Sequence, residues 1–539
     1  MNLTKHYQQL PPPSLKDNTA TIDRLLKALR KETGQWPLVP RRRLAEFAAT
    51  ITEADYQVTA TLAPGPAGPV LVAVEPGDST GRPAPPEWGT RVQEVPPGLW
   101  EARGLGLALD IGSTHLQATL HDLADQGREL AAGNRLNPQT ATGADILTRI
   151  QATARPGELE RLHRELVEAD GKLAAELCRR AGRRPEEIQA LVAAGNTTMT
   201  HFFLGLPVAG ICREPYIPVV NRSAPFFTAE LGLEWAPQAV GWCLPNVGSY
   251  FGGDLVAGIV AADLHRREEV AILVDVGTNA EVVLGNRDWL VACAGAAGPA
   301  LEGGVAKTGI LAQPGAIEGV SIDPESKEPR LKIIPAPDGS TPPPKGLCGS
   351  GLLQLVAQLY LTRVIDMRGK IILPPGHPRI VQTQYEGLAY LVVPASESAT
   401  GEPILITETE IDILLRSKAA MYTILRTVLL EVGLEFQDLS AFFVAGAFGN
   451  VIDPETAITL GMLPDLPRER FIALGNSSLK GCQILLREPG GRKEVEAVAD
   501  KLTYIELNVN QALMNRFSAA RFIPHTDHTR FPSVPVFFR

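Results

Sequence analysis

The chain has 539 residues, with 51 Lys and Arg against 60 Asp and Glu for a net charge of −9; it is 45% apolar and 21% charged. That composition belongs to a globular protein and argues against a largely disordered one, and its acidic balance gives no electrostatic footprint for nucleic acid, whose binders usually carry a basic face. No apolar run reaches the roughly 18–20 residues of a membrane span, and the N-terminus MNLTKHYQQLPPPSLKD lacks the apolar core of a secretion signal; a cytoplasmic protein that uses neither nucleic acid nor membrane is expected.

The first hundred residues read as a separate small module. After Pro11-Pro12-Pro13, the spacing of Ile22, Leu25, Leu26 and Leu29 predicts a helix, and a second helix is expected over about Leu44–Ile51. Alternating runs near Val58–Leu62 and Val70–Val74, separated by a Pro/Gly-rich stretch, predict a hairpin. Residues 76–98, rich in Pro and Gly, read as the connection to the main body. From Gly104 onward strands alternate with helices, the signature of an α/β architecture. Leu159, Leu162, Leu166, Leu173 and Leu177 form the stripe of one helix. Thr407 and Glu410 form a capping box for a long helix through Val428, stopped by Gly433.

Three strand ends in that body share one chemistry. Gly104–Asp110 is a buried-strand run that ends in an acid and enters Gly112-Ser113-Thr114. Val270–Asp275 repeats this with Gly277-Thr278-Asn279. Phe442–Ala445 runs into Gly446, with Gly449 and Asn450 just beyond. Gly112 and Gly277 let backbone N–H groups approach a phosphate oxygen, and Ser113, Thr114, Thr278 and Asn279 add side-chain donors. A carboxylate does not face phosphate favourably, so Asp110 and Asp275 are expected to act on Mg²⁺ through its bound water. Gly446 and Gly449 leave room for a flat adenosine. A second echo pairs Gly195-Asn196-Thr197-Thr198 with Gly475-Asn476-Ser477-Ser478, each after an apolar strand. Two strand–acid–glycine turns and two strand–Gly-Asn turns read as two related halves.

Other residues have plainer readings beside the chemical ones. Glu281 either positions water or is a structural carboxylate. Glu302 either lines a cleft or caps a helix, and Cys348-Gly349-Ser350-Gly351 either faces an anion or is a tight helix-opening turn. His525, Asp527 and His528 mimic a metal cluster but read as a solvated tail. The six cysteines, at 178, 212, 243, 293, 348 and 482, are scattered without a C-x-x-C and read as reduced, buried residues rather than metal or iron–sulfur ligands.

The ordered triple resembles the phosphate-1, phosphate-2 and adenosine motifs of the actin, sugar kinase and Hsp70 ATPase superfamily, with the two Gly-Asn turns at its two connecting elements. The blocks LALDIGSTHLQATLHDL, RLNPQTATGADILTRI, AAGNTTMTHFFLGL, LVDVGTNAEVVLG, AGAAGPALEGG, VAGAFGN and RFIPHTDHTRFPS resemble, in order and over nearly the whole chain, the reductive activators of corrinoid proteins. The resemblance implies a two-lobed actin-like (ribonuclease-H-like) α/β ATPase fold preceded by a small α+β linker domain. The expected divisions are 1–100 for the linker, 101–245 for the first lobe, 246–470 for the second and 471–539 for a segment returning to the first. It implies ATP and Mg²⁺ as cofactors, Asp110, Asp275 and Glu281 as catalytic groups, and Gly112, Ser113, Thr114, Asn196, Gly277, Thr278, Asn279, Gly446, Gly449 and Asn450 around the nucleotide.

The implied activity is ATP-dependent rescue of a methyltransferase corrinoid protein from Co(II) to Co(I). Family members typically begin with a ferredoxin-like domain whose four cysteines hold a [2Fe–2S] cluster. This sequence carries no such cysteines, so no Fe–S cluster is expected within it, and either it is a piece of a longer protein or electrons come from a separate low-potential donor, such as a ferredoxin. Ala280 stands where the family pattern leads one to expect glycine. A small-metabolite kinase and a non-catalytic nucleotide-switched binding module are the rival readings, and a homodimer is left open.

Overall fold

The computed structural model describes residues 3–15, 17–98, 103–233, 236–277, 279–296, 306–384, 386–446, 453–505 and 511–537. The chain forms two compact units. One comprises Met1–Asp263 with Ser477–Leu502, the other Leu264–Asn476 with Thr503–Arg539. The first unit therefore runs on past 245, and of the C-terminal segment only 477–502 lies with it.

The first unit begins with an antiparallel three-stranded sheet, ordered Thr4–Gln9, Gln57–Gly65, Gly68–Pro76. Helix Thr21–Thr33 buries Ile22, Leu25, Leu26 and Leu29 and ends at Gly34, whose φ of 77° is the left-handed conformation glycine adopts freely. Helix Leu44–Glu53 adds Leu44, Phe47, Ala48 and Ile51 to the same core. The Pro/Gly-rich connection is not a bare tether. Its residues 86–94 form a 3₁₀ helix, Val92 and Val95 are buried, and Arg91 donates to Val72 O at 2.7 Å.

The main sheet of this unit is ordered Arg128–Leu136, His115–Asp122, Leu105–Ile111, Ile188–Ala194, Val240–Cys243, Phe226–Phe227. Its first three strands form an antiparallel meander, and Ile188–Ala194 and Val240–Cys243 add in parallel on the other side. Leu105, Leu107, Ala108 and Leu109 are almost wholly buried, as expected of a strand covered on both faces. Helix Glu158–Arg180 covers one face through Leu162, Leu166, Leu173 and Leu177. Helices Gly253–Ala261 and Ser477–Arg487 contribute Val256, Ala257, Cys482 and Leu486 to a second cluster that includes Ala108 and Val192.

The main sheet of the second unit, ordered Phe471–Gly475, Ala441–Ala445, Ala271–Val276, Asn279–Gly285, Leu290–Ala296, Leu502–Tyr504, repeats the arrangement over its first five strands, while its sixth lies at the edge opposite to that of Phe226–Phe227. Ala271–Val276 again opens an antiparallel meander and again pairs in parallel on its other side, here with Ala441–Ala445. The long helix Glu408–Glu431 starts at the capping box expected: Glu410 N–H donates to Thr407 Oγ1 at 3.2 Å, and Thr407 N–H to Glu410 Oε2 at 2.8 Å. Two small three-stranded sheets complete the unit, made of Ala316–Ile322, Pro329–Ile333 and Gly346–Leu347, and of Ile380–Gln382, Leu388–Val393 and Ile404–Thr407.

The sheet orders correct one expectation. Ile188–Ala194 lies beside the first meander strand, as Ala441–Ala445 does in the second unit, whereas Phe471–Gly475 lies one place further out, as Val240–Cys243 does. The two Gly-Asn turns are therefore not equivalent. Gly475-Asn476 leads into helix Ser477–Arg487, and its counterpart in the first half is the entry to helix Gly253–Ala261, not Gly195-Asn196. The shared Gly-Asn-hydroxyl pattern arises because both strands feed a helix N-terminus, where an Asn side chain and small residues suit any such turn.

The tail also differs from expectation. His525 is 7% exposed and sits between Tyr422 and Phe531, with ring centroids 5.5 and 6.3 Å away. Burial holds its imidazole down to about 4. Lys418, wholly buried on the long helix, donates to the carbonyls of Phe522 and Pro524. Those bonds and the aromatic stack fix the segment that composition alone suggested was solvated. Among the described residues no helix is long and apolar enough to cross a membrane.

Candidate functional site

In the first unit, strand Leu105–Ile111 carries Asp110 to its carboxyl end, half-buried and opposite Gln117 in the antiparallel pairing. Ser478, in the first turn of helix Ser477–Arg487, donates its hydroxyl to Asp110 Oδ1 at 2.8 Å. Cys482, one turn further along, is fully buried with Sγ 3.5 Å from Leu109 O. Burial, joined by the negative charges of Asp110 and Asp254, pushes its thiol well above the usual range, which makes it a packing residue and not a nucleophile.

Three turns meet beside Asp110. Gly112 begins the first, and a Cβ there would lie 2.3 Å from His115 O. Only glycine fits, while Ser113 is half-buried and Thr114 exposed. Asn196 ends the second, capping helix Thr197–Leu204 by accepting from Met199 N–H at 2.9 Å. The third, Gly252-Gly253-Asp254, opens helix Gly253–Ala261. A Cβ on Gly252 would stand 2.3 Å from Asn196 Cα and 2.5 Å from Gly195 O, and Asp254 N–H donates to Gly195 O at 3.3 Å. Sequence reasoning missed Asp254. Its signal was present as two glycines and an acid before the apolar run Leu255–Val260, a helix start that resembles an ordinary loop.

In the second unit, strand Ala271–Val276 delivers Asp275 to the same relative position, with Gly277 following. Asp275 stands directly opposite Glu281 in the antiparallel pairing and opposite Ala445 in the parallel one. Gly446, at φ 83°, packs its backbone on the Asp275 carboxylate, where a Cβ would lie 2.4 Å from Oδ1, and its N–H donates to Gly475 O at 3.1 Å. Of the expected residues, Thr278, the Asn279 side chain, Glu302, Gly449 and Asn450 lie outside the described residues.

The structure thus gathers Asp110, Gly112, Ser113, Thr114 and Asn196 in one unit, and Asp275, Gly277, Glu281 and Gly446 in the other. The cysteines are not gathered: all six are free thiols, and five are buried.

Comparison with known proteins agrees along the whole chain. Residues 2–81 match the RACo linker region, 105–267 the RACo middle region, and 269–535 the C-terminal domain of RACo, the ASKHA domain. A solved structure, the reductive activator for corrinoid,iron-sulfur protein, superposes with a TM-score of 0.70 at 35% identity, over 99% of this chain and 80% of that one. The chain belongs to the reductive activators of corrinoid proteins. Curated relatives of this activator include corrinoid activation enzyme RamQ of Eubacterium limosum, 30% identical over 409 residues, which are 75% of this chain and 67% of that protein. Another is the Co(II) methylated amine-specific corrinoid protein reductase of Methanosarcina barkeri, 25% identical over 439 residues, 74% of this chain and 73% of that one. The activator has the actin-like α/β fold of the ASKHA ATPases, with linker and middle regions before the C-terminal domain.

Proposed function

We propose that this activator binds Mg-ATP at its glycine turns, hydrolyses it, and couples the turnover to the return of a corrinoid protein from Co(II) to Co(I). One electron, taken from a separate low-potential donor such as a ferredoxin, balances the reduction. The observation that carries the reading is the repeated strand–acid–glycine turn, at Asp110 and at Asp275, on two sheets that share the order of five strands. The names of the relatives support the corrinoid target.

The residues present fit the nucleotide and its metal. Asp110 and Asp254 in the first unit, and Asp275 and Glu281 in the second, are hard oxygen donors of the kind a hydrated Mg²⁺ accepts. Two carboxylates directly opposite in a sheet, as Asp275 and Glu281 are, repel each other, and the positive charge of a bound Mg²⁺ would relieve that. At Gly112, Gly252 and Gly446 the backbone comes so close to its neighbours that no Cβ fits, so N–H groups rather than side chains line these turns. When bound, Mg²⁺ supplies charge neutralisation along the phosphates. The chain's own part is to orient. Ser478 fixes the rotamer of Asp110, Asn196 holds its helix end in place, and Ser113 and Thr114 donate to phosphate oxygen. In the second unit Glu281 is the group suited to orient the attacking water, and in the first Asp254 stands beside Asp110's turn as a further carboxylate.

Reducing Co(II) is uphill for ordinary cellular donors, and each tenfold in a one-electron equilibrium needs about 59 mV. ATP turnover offers a way to reset the complex after the electron has passed. The test mixes the chain, ATP and a Co(II) corrinoid protein anaerobically, with ATP hydrolysis and the corrin spectrum followed together. Stimulated hydrolysis, with Co(I) appearing faster when both ATP and the chain accompany a low-potential reductant, is the expected result. Hydrolysis stimulated only by a small acceptor, or a Co(I) rate indifferent to the chain, overturns the proposal.

A further inference from the structure

Resting on the nucleotide reading above, we infer that Asn137 is a positioning residue that sets the direction of the Gly112–Ser113 peptide and thereby aims the turn's N–H groups at phosphate. Asn137 follows strand Arg128–Leu136 and is wholly buried. Its Nδ2 donates to Gly112 O at 2.9 Å, and its backbone N–H donates to Thr114 O at 2.9 Å. One residue therefore grips both ends of the three-residue turn that follows Asp110-Ile111.

The side chain is itself fixed. Asn137 Oδ1 accepts from Gln139 N–H at 2.9 Å, which settles which end of the amide faces Gly112. The Gln139 side chain in turn donates to Leu162 O on helix Glu158–Arg180 at 3.0 Å. A trans peptide points its carbonyl and the next N–H in opposite directions. With Gly112 O turned inward to Asn137, Ser113 N–H points away from that buried amide. Among the described residues neither Ser113 N–H nor Thr114 N–H finds an acceptor. Two unspent donors are what an anionic oxygen chain needs. Without the amide, Gly112 has the conformational freedom to flip this peptide and present its carbonyl instead.

The test compares affinities for Mg-ADP and for adenosine, which shares the base and sugar but has no phosphate. Asn137→Asp sets an acceptor against Gly112 O, and Asn137→Ala removes the donor. Each should weaken Mg-ADP at least tenfold relative to adenosine. Thr140→Val, which removes a hydrogen bond of the same loop to Asn137 O, should leave that ratio unchanged. An unchanged ratio in the Asn137 variants overturns the inference, whereas failure of the unaltered chain to bind Mg-ADP overturns the nucleotide reading itself. Hydrogen exchange in the unaltered chain gives a readout independent of variant folding. Amides of 113–114 should exchange freely in the free chain and slow at least tenfold with Mg-ADP but not with adenosine. Amides already protected in the free chain, or unaffected by Mg-ADP when it binds, refute the lock.

Discussion

Replacing Gly481 by alanine sets two opposing effects against each other, and the structure decides between them. Gly481 lies within helix Ser477–Arg487, where alanine is intrinsically better by about 1 kcal/mol. A methyl at 481, however, would stand 2.2 Å from Ala257 O and 2.6 Å from Ala257 C and Cα, whereas ordinary contact begins at 3.4 Å. The obstacle is backbone, so no side chain can rotate aside, and helices Gly253–Ala261 and Ser477–Arg487 must separate by about 1 Å. Overpacking costs about 1–3 kcal/mol, and a clash with backbone that cannot rotate aside takes the upper part of that range, about 2–3 kcal/mol, leaving a net loss of roughly 1–2 kcal/mol. At about 2–4 °C per kcal/mol, the melting temperature should fall by about 2–8 °C. Ser478, one turn before Gly481, would move with its helix and loosen its hold on Asp110. A displacement of about 1 Å can cost about a hundredfold in rate, so ATP turnover should fall further than stability implies. Gly490→Ala, with nothing within 4 Å of the added methyl, is the control and should melt as the unaltered chain does. The assay is thermal unfolding alongside steady-state hydrolysis. A Gly481→Ala chain that melts higher, with normal turnover, would show that propensity outweighs the contact and that the two helices are not seated backbone to backbone.

Asp110→Asn and Asp275→Asn should each nearly abolish Mg-ATP hydrolysis at an unchanged melting temperature, and normal turnover in both would remove the two turns from the chemistry. Ser478→Ala deletes a neutral donor to a carboxylate, an interaction of about 1.5–3 kcal/mol; turnover should fall at least tenfold with nucleotide affinity little changed, and an unaltered kcat would refute the positioning role. Two buried groups on either side of residues 219–221 should oppose each other in pH-dependent stability. Burial raises Asp23, which accepts from Asn221 N–H, from 3.8 to about 6. Burial lowers His201, which accepts from Val219 N–H and donates to Thr197 O, from 6.5 to about 4. For Asp23, stability is lost as pH rises through about 4–6; for His201 it is lost as pH falls through about 6.5–4. Each is worth about 3 kcal/mol across its window. Relative to the unaltered chain, to whose profile His525 also contributes, the denaturant midpoint of Asp23→Asn should fall more steeply on acidification and that of His201→Phe less steeply. Parallel profiles in all three would refute the assignment.

The acid-ended strands at Asp110 and Asp275 were legible because a strand buried on both faces must be a continuous apolar run, and a carboxylate at its end is conspicuous. The capping box at Thr407 was equally plain, since its four residues are the whole device. Asp254 was not, because a Gly-Gly-Asp turn is common and its place against Gly195 depends on a crossover that no local pattern encodes. The equivalence of turns was misjudged for a related reason. Gly195-Asn196 and Gly475-Asn476 match in residue type, but strand order in a sheet is settled by pairing over long separations. Strand Thr4–Gln9, with its polar TKHYQQ and partial exposure, has no apolar alternation to betray it. Burial of His525 rests on an aromatic stack assembled from Tyr422 and Phe531, about a hundred residues apart at the extreme.

The first unit is interrupted in the chain: it stops at Asp263 and is completed only by Ser477–Leu502. On a ribosome adding roughly 5–20 residues per second, the intervening stretch of about 210 residues takes about 10–40 s to emerge. Through that interval the sheet and helix Gly253–Ala261 wait without the segment bearing Cys482, Leu485 and Leu486, all of which end up buried. An apolar face is thus left open for far longer than the microseconds to milliseconds in which local structure forms. Newborn chains of this protein should therefore lean on holding chaperones until residue 502 has cleared the exit tunnel, and expression stopped at 476 should yield an aggregating product, not a working half.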